Sequence, residues 1–404
     1  MPLWKRNLWV CWFGSFATGA GLSLVLPFLP LYIEILGVHD VGAIEQWSGV
    51  AFGATFILAA VVSPLWGKLA DQYGRKVMLL RASLGMAIVM TLMGFAQNVY
   101  QLVALRLLMG AVSGYISASI TLVATQTPKE HSGWALGTLS TGMVSGNLLG
   151  PLLGGWLSEV IGLRHVFFVT GFLLFMAFVV SYLLIKEKFN PQKSVNLSYK
   201  EVWSKIKNPK ALIAMFVTSL MIQLANLSIE PIITVYIKQL LQDATHIALI
   251  SGFVVSASGF ANVLCASRLG KMSDQKGPDK VLLFSLLLAA LVIIPQAYVQ
   301  NPWQLMGLRF LLGIATAGML PAVNALIKKS VPSSVSGRVF GYNQSAQYLG
   351  NVTGPLMGGQ IAASYGIHYV FFFTAALLII NALWVYRIEK MIPHPQDNFS
   401  KPNS

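Results

Sequence analysis

Two carboxylates, Glu34 and Glu230, and two arginines, Arg106 and Arg309, stand within or at the edge of long apolar runs in this 404-residue chain. A charged side chain inside hydrocarbon costs at least ~2.5 kcal/mol unless it is hydrated or paired. Each of the four therefore marks a polar interior. A carboxyl group withdrawn from water also binds a proton more readily, so such an acid can load and unload one. Glu230 follows Gln223 and Asn226 at i−7 and i−4, which puts all three on one helical face. An amide–amide–carboxylate face is not one to present to lipid, and Glu230 is the principal candidate for a proton-binding group. The competing reading is a headgroup-level acid beside Lys238, and Glu34 reads more readily as an interfacial acid. Arg106 lies about two helical turns from the nearer end of its span and calls for a polar cavity or a buried acid.

Composition says what must hold these groups. Hydrophobic residues make up 55% and charged residues 10% of the chain, and the mean hydropathy is +0.66. A soluble protein of this length carries nearer a quarter charged residues. Apolar runs bounded by charges, Gly, Pro and Asn number twelve, from Leu8–Leu36 to Tyr369–Tyr386, each long enough to cross a bilayer as a helix. The expected class is an all-α polytopic membrane protein. Of the 28 Lys and Arg, all but Arg106, Arg164, Lys238 and Arg309 fall on one side if the N-terminus is cytoplasmic. That asymmetry puts both termini in the cytoplasm and explains a net charge of +14 without nucleic acid. Cys11 and Cys265 lie in apolar runs, so no disulfide framework is expected, and no metal-ligand spacing occurs among the six His. The chain divides into helices over 1–186, a linker over 187–210 rich in lysine, helices over 211–388 and a cytoplasmic tail over 389–404. Within the linker, Ser198 and Glu201 have capping-box spacing, and Tyr199, Val202, Trp203 and Ile206 share a face. A short amphipathic helix at the headgroups is expected there.

The two helical parts are copies. Gly67-Lys68-Leu69-Ala70-Asp71-Gln72-Tyr73-Gly74 returns as Gly270-Lys271-Met272-Ser273-Asp274-Gln275-Lys276-Gly277, and Arg106 with Gly110 returns as Arg309 with Gly313. Ser132–Gly155 aligns without a gap on Ser336–Gly359. Each copy holds six spans, so both enter the membrane from the same side and are related by an axis along its normal. The interface between two such bodies is the natural place for a ligand.

The residues at this point resemble a known family, the twelve-helix drug:proton antiporters of the major facilitator superfamily. Its loop motif stands complete at Gly67–Lys76, and its fifth-helix motif reads Gly142 through Gly150-Pro151 to Gly154-Gly155. Arg106 and Gly110 match its fourth-helix motif. The resemblance implies two parallel pseudo-symmetric six-helix bundles, and export of lipophilic or amphipathic compounds in exchange for protons by alternating access. It implies a bacterial inner membrane location, a role for Arg106 in proton coupling, and a conformational latch at Gly67, Asp71, Gly74, Arg75, Lys76 and Asp274. The alternative is a proton-coupled transporter of a narrower metabolite or sugar-like substrate. An enzyme is not expected, since no P-loop, no His-Glu-x-x-His and no Ser–His–acid set is present.

Two further sets of residues complete the reading. Gly142, Gly146, Gly150 and Gly154 recur every four residues, mirrored by Ala346, Gly350, Gly354 and Gly358, and Pro151 and Pro355 interrupt both runs. With Gly155 these small residues are expected to form the tight seam between the two bodies. Candidate substrate contacts are Phe28, Tyr32, Tyr115, Gln223, Asn226, Tyr236, Met319, Asn343, Gln347 and Tyr348, because adaptable apolar walls with a few neutral polar groups suit varied lipophilic ligands. The expected partners are small drugs or amphipathic metabolites, protons and membrane lipids. No cofactor, metal or nucleic acid is expected, and a monomer suffices.

Overall fold

The computed structural model describes residues 2–128, 131–187, 199–204, 206, 208–241, 246–332 and 335–389. Among them there is no strand. The first copy comprises α1 (Leu3–Ser23), α2 (Leu29–Ile35), α3 (Val41–Tyr73), α4 (Arg75–Gly94), α5 (Val99–Val112), α6 (Tyr115–Gln126), α7 (Ser132–Ile161) and α8 (Leu163–Leu184). A short helix α9 (Tyr199–Ser204) follows. The second copy repeats the order with α10 (Pro209–Ile229), α11 (Ile233–Leu240), α12 (Ile247–Lys276), α13 (Pro278–Gln296), α14 (Pro302–Thr316), α15 (Met319–Ser330), α16 (Ser336–Tyr365) and α17 (Ile367–Glu389). Counting α1/α2, α5/α6, α10/α11 and α14/α15 as one rod each gives twelve rods besides α9.

Nine of these stretches among the described residues are long and apolar enough to cross a membrane by composition alone. The remaining rods are α1 with α2, α7 and α16. Their sequences are diluted by Gly, Ser, Thr and Asn, which let them pack closely on other helices instead of facing lipid over their whole surface. The expected runs correspond to rods, but four of them are not continuous helices.

Those four breaks fall in corresponding rods of the two copies. The first rod changes to a 3-10 turn at Leu26–Phe28, and its mate breaks at Glu230-Pro231-Ile232. The fourth breaks at Ser113-Gly114, where Gly114 has φ +122, and its mate breaks at Ala317-Gly318. A broken helix leaves carbonyl and amide groups without helical partners, and in a bilayer these must find others. At the α5 end the first copy supplies them. Trp66 Nε1 donates to the Ala111 carbonyl at 2.7 Å, while the Arg81 guanidinium donates to the carbonyls of Val112 and Ser113, both at 3.1 Å. The guanidinium also lies 3.6 Å from the Trp66 ring centre, a cation–π geometry. Positive charge at a helix C-terminus is favourable in itself. The repeat positions in the second copy are Phe284 and Leu269, so this clamp belongs to the first copy alone.

Matched side-chain contacts hold each copy together. Tyr32 Oη donates to the Met93 carbonyl at 2.7 Å and Tyr236 Oη to the Gln296 carbonyl at 2.9 Å. Asn98 and Asn301 cap α5 and α14 alike. The linker helix α9 does not lie free at the headgroups. Trp203 stacks on Tyr342 of α16 with ring centres 6.4 Å apart, and Ile206 is buried. Ser198 of the expected capping box and the tail beyond Glu389 lie outside the described residues, as does the Val202 side chain.

Arg81→Ala should strip the α5 end of its charged donor. A loss of about 2 kcal/mol is expected for charge-assisted hydrogen bonds to a half-buried group, read as a lower thermal midpoint of the purified protein in detergent. An unchanged midpoint would show that lipid or water replaces the clamp.

Candidate functional site

The two copies meet along two seams, α3 against α16 and α7 against α12. Both are closed by backbone. A Cβ added at Gly155 would stand 2.5 Å from the Ala248 carbonyl, and one at Gly359 would stand 2.5 Å from the Glu45 carbonyl. Gly49 abuts the Pro355 carbonyl and Gly252 abuts the Pro151 carbonyl in the same way. Only glycine permits such an approach. The four contacts form two pairs related by the internal repeat. They share one end of the molecule with two ion pairs between the copies: Lys238 Nζ to Glu34 Oε2 at 2.7 Å, and His246 Nδ1 to Glu159 Oε2 at 2.6 Å. Glu159 Oε1 also accepts from the Leu249 amide at 3.2 Å. Glu34 and Lys238 are themselves repeat mates, so their pair sits across the pseudo-twofold axis.

At the opposite end the same four helices part. A Cβ at Gly67, Gly137, Gly270 or Gly341 would meet nothing within 4 Å. Ser140, Thr141, Gln344 and Ser345 are exposed on the facing rods. The copies thus enclose a cleft that is shut at the Glu34–Lys238 end and open at the end bearing Gly74 and Gly277.

The glycine stripe expected at the seam is a correction. Gly142 packs on the Trp12 carbonyl and Gly146, Gly150 and Gly154 on Phe16, Ser23 and Leu24, all on α1 of their own copy. Gly350 and Gly354 likewise pack on Leu220 and Leu224 of α10. Residues four apart keep to one helical face, and that face meets the first rod of its own bundle. Gly155 stands 100° further round, and with Pro151 and Pro355 it does reach the seam. Both prolines are accommodated within continuous helices.

Glu230 caps α10 at the break before α11, and its carboxylate pairs with Arg309 of α14, Oε1 to Nη1 at 3.6 Å. The side chains are 18% and 3% exposed. Arg309, not Lys238, is therefore its partner, and Lys238 is engaged by Glu34. The repeat mate of Glu230 is Leu26, so Arg106 has no corresponding acid. Among the described residues no carboxylate pairs with Arg106, although it is buried and its Nε and Nη2 lack partners. Among the described residues Arg106 thus lacks the acid partner that Arg309 has in the second copy.

The substrate candidates divide into two groups. Phe28 and Tyr32 pack on Phe167, Tyr115 Oη meets Ser181 Oγ at 2.9 Å, and Tyr236 packs on Phe371. These four and Met319 are fully buried within one copy or the other. Asn343 is buried too, donating to Asn324 Oδ1 at 3.3 Å. Gln223, Asn226, Gln347 and Tyr348 remain partly open on α10 and α16, and Gln223 Nε2 donates to Asn351 Oδ1 at 2.9 Å.

In the loop motif, Gly74 alone joins α3 to α4 with φ +92. The first amides of α4 are satisfied by Glu187, just past α8: Arg75 N donates to Oε1 at 3.0 Å and Lys76 N to Oε2 at 2.7 Å. Lys76 Nζ donates to the Tyr182 carbonyl at 3.0 Å. An acid at a helix N-terminus is favourable, and sequence reasoning did not single out Glu187. The side chains of Asp71 and Asp274 lie outside those described. A second acid was also missed. Glu45 lies just before the second apolar run, Trp47–Trp66, yet α3 begins at Val41 with Asp40 as its N-cap, and Glu45 lies in its second turn, 3% exposed. Asp40 three residues before Ala43 was the available signal.

Reversing one member of the axial pair, Glu34→Lys, should weaken closure at that end, and Glu34→Lys with Lys238→Glu should restore it. Exposed pairs contribute up to about 1 kcal/mol, so the expected effect is a few-fold change in cross-linking between cysteines at positions 46 and 360. Equal yields from single and double variants would make the pair incidental.

Comparison with known proteins agrees with this geometry. The family model described as Major Facilitator Superfamily matches residues 11–274 and 224–403. The Multidrug resistance protein MdtG of Proteus mirabilis (strain HI4320) is 50% identical over 382 residues, covering 94% of this chain and 95% of that protein. Its counterpart in Salmonella typhimurium (strain LT2) is 52% identical over the same share. Among solved structures, a bacterial homolog to the human lysosomal transporter Spinster, in an inward-facing and occupied conformation, superimposes with TM-score 0.81 at 14% identity over the whole of both chains. The nucleoside transporter NupG superimposes with TM-score 0.76 at 13% identity, covering 96% of this chain and all of that one. Two repeated six-rod bundles, a cleft between them and a match spanning nearly every residue together place this multi-pass membrane protein among transporters rather than enzymes, and the chain belongs to the major facilitator superfamily.

Proposed function

We propose that the chain is a secondary active multidrug efflux transporter, exporting lipophilic or amphipathic compounds in exchange for protons by alternating access. The observation that carries this reading is the buried Glu230–Arg309 pair, set at a helix break among apolar rods. The multidrug resistance names of relatives 50% and 52% identical point the same way. The two rocking bodies correspond to 1–186 and 211–388, joined by the linker over 187–210. The bases put the open end and both termini in the cytoplasm of a bacterium, with the Glu34–Lys238 end outside.

In this reading protonation of Glu230 removes its charge and releases Arg309, which changes the polarity of the cleft wall. Ligand and proton thereby favour different states of one pair, and each half-cycle carries one of them. Gln223, Asn226, Gln347 and Tyr348 supply the adaptable wall. The fully buried aromatics shape the bundles behind it and do not touch the ligand. Arg106 tunes the coupling from the first copy. One proton moving inward carries roughly 2.3 kcal/mol per 100 mV of membrane potential, besides any pH difference. The chain acts as a monomer in lipid and draws on no cofactor.

Glu230→Gln is expected to keep dye binding while lowering gradient-driven dye accumulation in liposomes by about tenfold or more. Dye exchange without a gradient should survive. Accumulation at the wild-type rate would remove Glu230 from the mechanism, and accumulation insensitive to an uncoupler would remove the proton.

A further inference from the structure

We propose that Glu45 is a second proton-binding site, neutral while the seam at the Glu34–Lys238 end is closed and ionised when that seam opens. The inference rests on the proton-driven reading above and adds a carboxyl group that it does not use. Glu45 lies one helical turn before Gly49, whose missing side chain lets the Pro355 backbone approach from the other copy. Its own carbonyl is the atom against which Gly359 packs. Parting of the seam therefore moves the backbone of Glu45 away from its neighbour and admits water to its side chain.

In the closed state that side chain is 3% exposed. Among the described residues it has no hydrogen bond and no ion pair. Around the axis of α3, Gly42, Gly49 and Gly53 face α16, while Thr55 faces Gly110 of α5. Glu45 projects between these two directions, toward the interior of the molecule. An unpaired carboxylate there is costly, whereas a neutral carboxyl group needs only modest compensation.

The surrounding charges do not supply a counter-ion. On its own helix Asp40 is a like charge, already accepting from the Ala43 amide at 2.7 Å. On α2, Glu34 is held by Lys238. Arg106 on α5 lies one turn before Gly110, which packs on Thr55, and α5 runs parallel to α3 with Tyr100 against Trp47. Arg106 therefore stands about six residues or ~9 Å along α3 from Glu45, and among the described residues it forms no ion pair with it. The α4 bases Arg75, Lys76 and Arg81 are at the far end of the rod. At this level α16 presents Gly359, Gln360 and Ala363 to α3, none of which titrates, and Tyr365 beyond them is exposed. The repeat mate of Glu45 is Ala248, so the site occurs once per molecule and makes the two seams unequal in their response to pH.

The test reads the seam directly and needs no ligand. Gln46 and Gln360 are exposed and joined across the seam by an amide hydrogen bond of 3.3 Å. Nitroxide labels at Gln46→Cys and Gln360→Cys, in full-length protein carrying Cys265→Ser, report its width. The expected result is a short distance at about pH 5.5 and a second, longer population at about pH 8.5, with Glu45→Gln fixed at the short distance. A wild-type distance that ignores pH, or a pH response unchanged in Glu45→Gln, would overturn the site. If Glu45→Gln does not fold, dicyclohexylcarbodiimide labelling of the wild type decides. An adduct on Glu45 formed at low pH that keeps the seam short at high pH supports the proposal, and no adduct at either pH overturns it. Gradient-driven dye accumulation by the same protein is measured in parallel. Accumulation with a pH-insensitive seam removes Glu45 alone, whereas no accumulation removes the proton-driven reading itself.

Discussion

Everything in this molecule that resembles a gate depends on backbone meeting backbone between the two copies. Gly49, Gly155, Gly252 and Gly359 each leave room for a carbonyl from the opposite half, and no larger residue would allow that distance. Contacts of this kind have few intermediate arrangements, because close packing is lost over a fraction of an ångström. The structure holds the seam in its shut arrangement. Two ion pairs flank it, but exposed pairs contribute little by themselves. They give the closed end its register more than its strength.

That constraint explains where the charges lie. Glu230 with Arg309, Glu45 beside Gly359 and the axial Glu34–Lys238 pair all belong to the closed half of the rods. On the open half the exposed residues of α7 and α16 include Ser140, Thr141, Gln344 and Ser345. An acid that changes between apolar enclosure and water experiences the largest change in environment at the end that closes. In the proposed cycle, ionisable groups placed there would convert a movement of helices into binding or release of protons. The helix breaks at Glu230 and Gly114 add polar backbone groups between apolar rods.

The copies are alike in scaffold and unlike in chemistry. Tyr32 and Tyr236 make matching hydrogen bonds, and Asn98 and Asn301 make matching caps. Yet Glu230 faces Leu26 in the alignment, Glu45 faces Ala248, and Arg81 faces Phe284. The repeat supplies two alike bodies, and the differences between them fall at the charged groups. Arg106 is the clearest case: it keeps the position of Arg309 without the acid, so the first copy holds a buried cation that its twin neutralises.

The sequence by itself determined the rods, their duplication and the orientation of the bases. Those follow from hydropathy, from identities at a constant offset and from the cost of carrying lysine through lipid. It also picked out Glu230 and Arg106, because a charge in an apolar run is conspicuous wherever it ends up. Tertiary structure alone decided the partners. Along the chain only Lys238 stood beside Glu230, and tertiary folding alone brought Arg309 of α14 to its carboxylate. The glycine stripe is visible as a stripe, but which helix it meets depends on rotation about the axis of α7, and 100° separates Gly154 on α1 from Gly155 on the seam. Whether Phe28, Tyr32, Tyr115 and Tyr236 face a cleft or a core is likewise a matter of rotation that hydrophobic side chains do not declare. Glu45 was legible only once Asp40 fixed the start of α3, for burial at a helix end is set by what packs beside it.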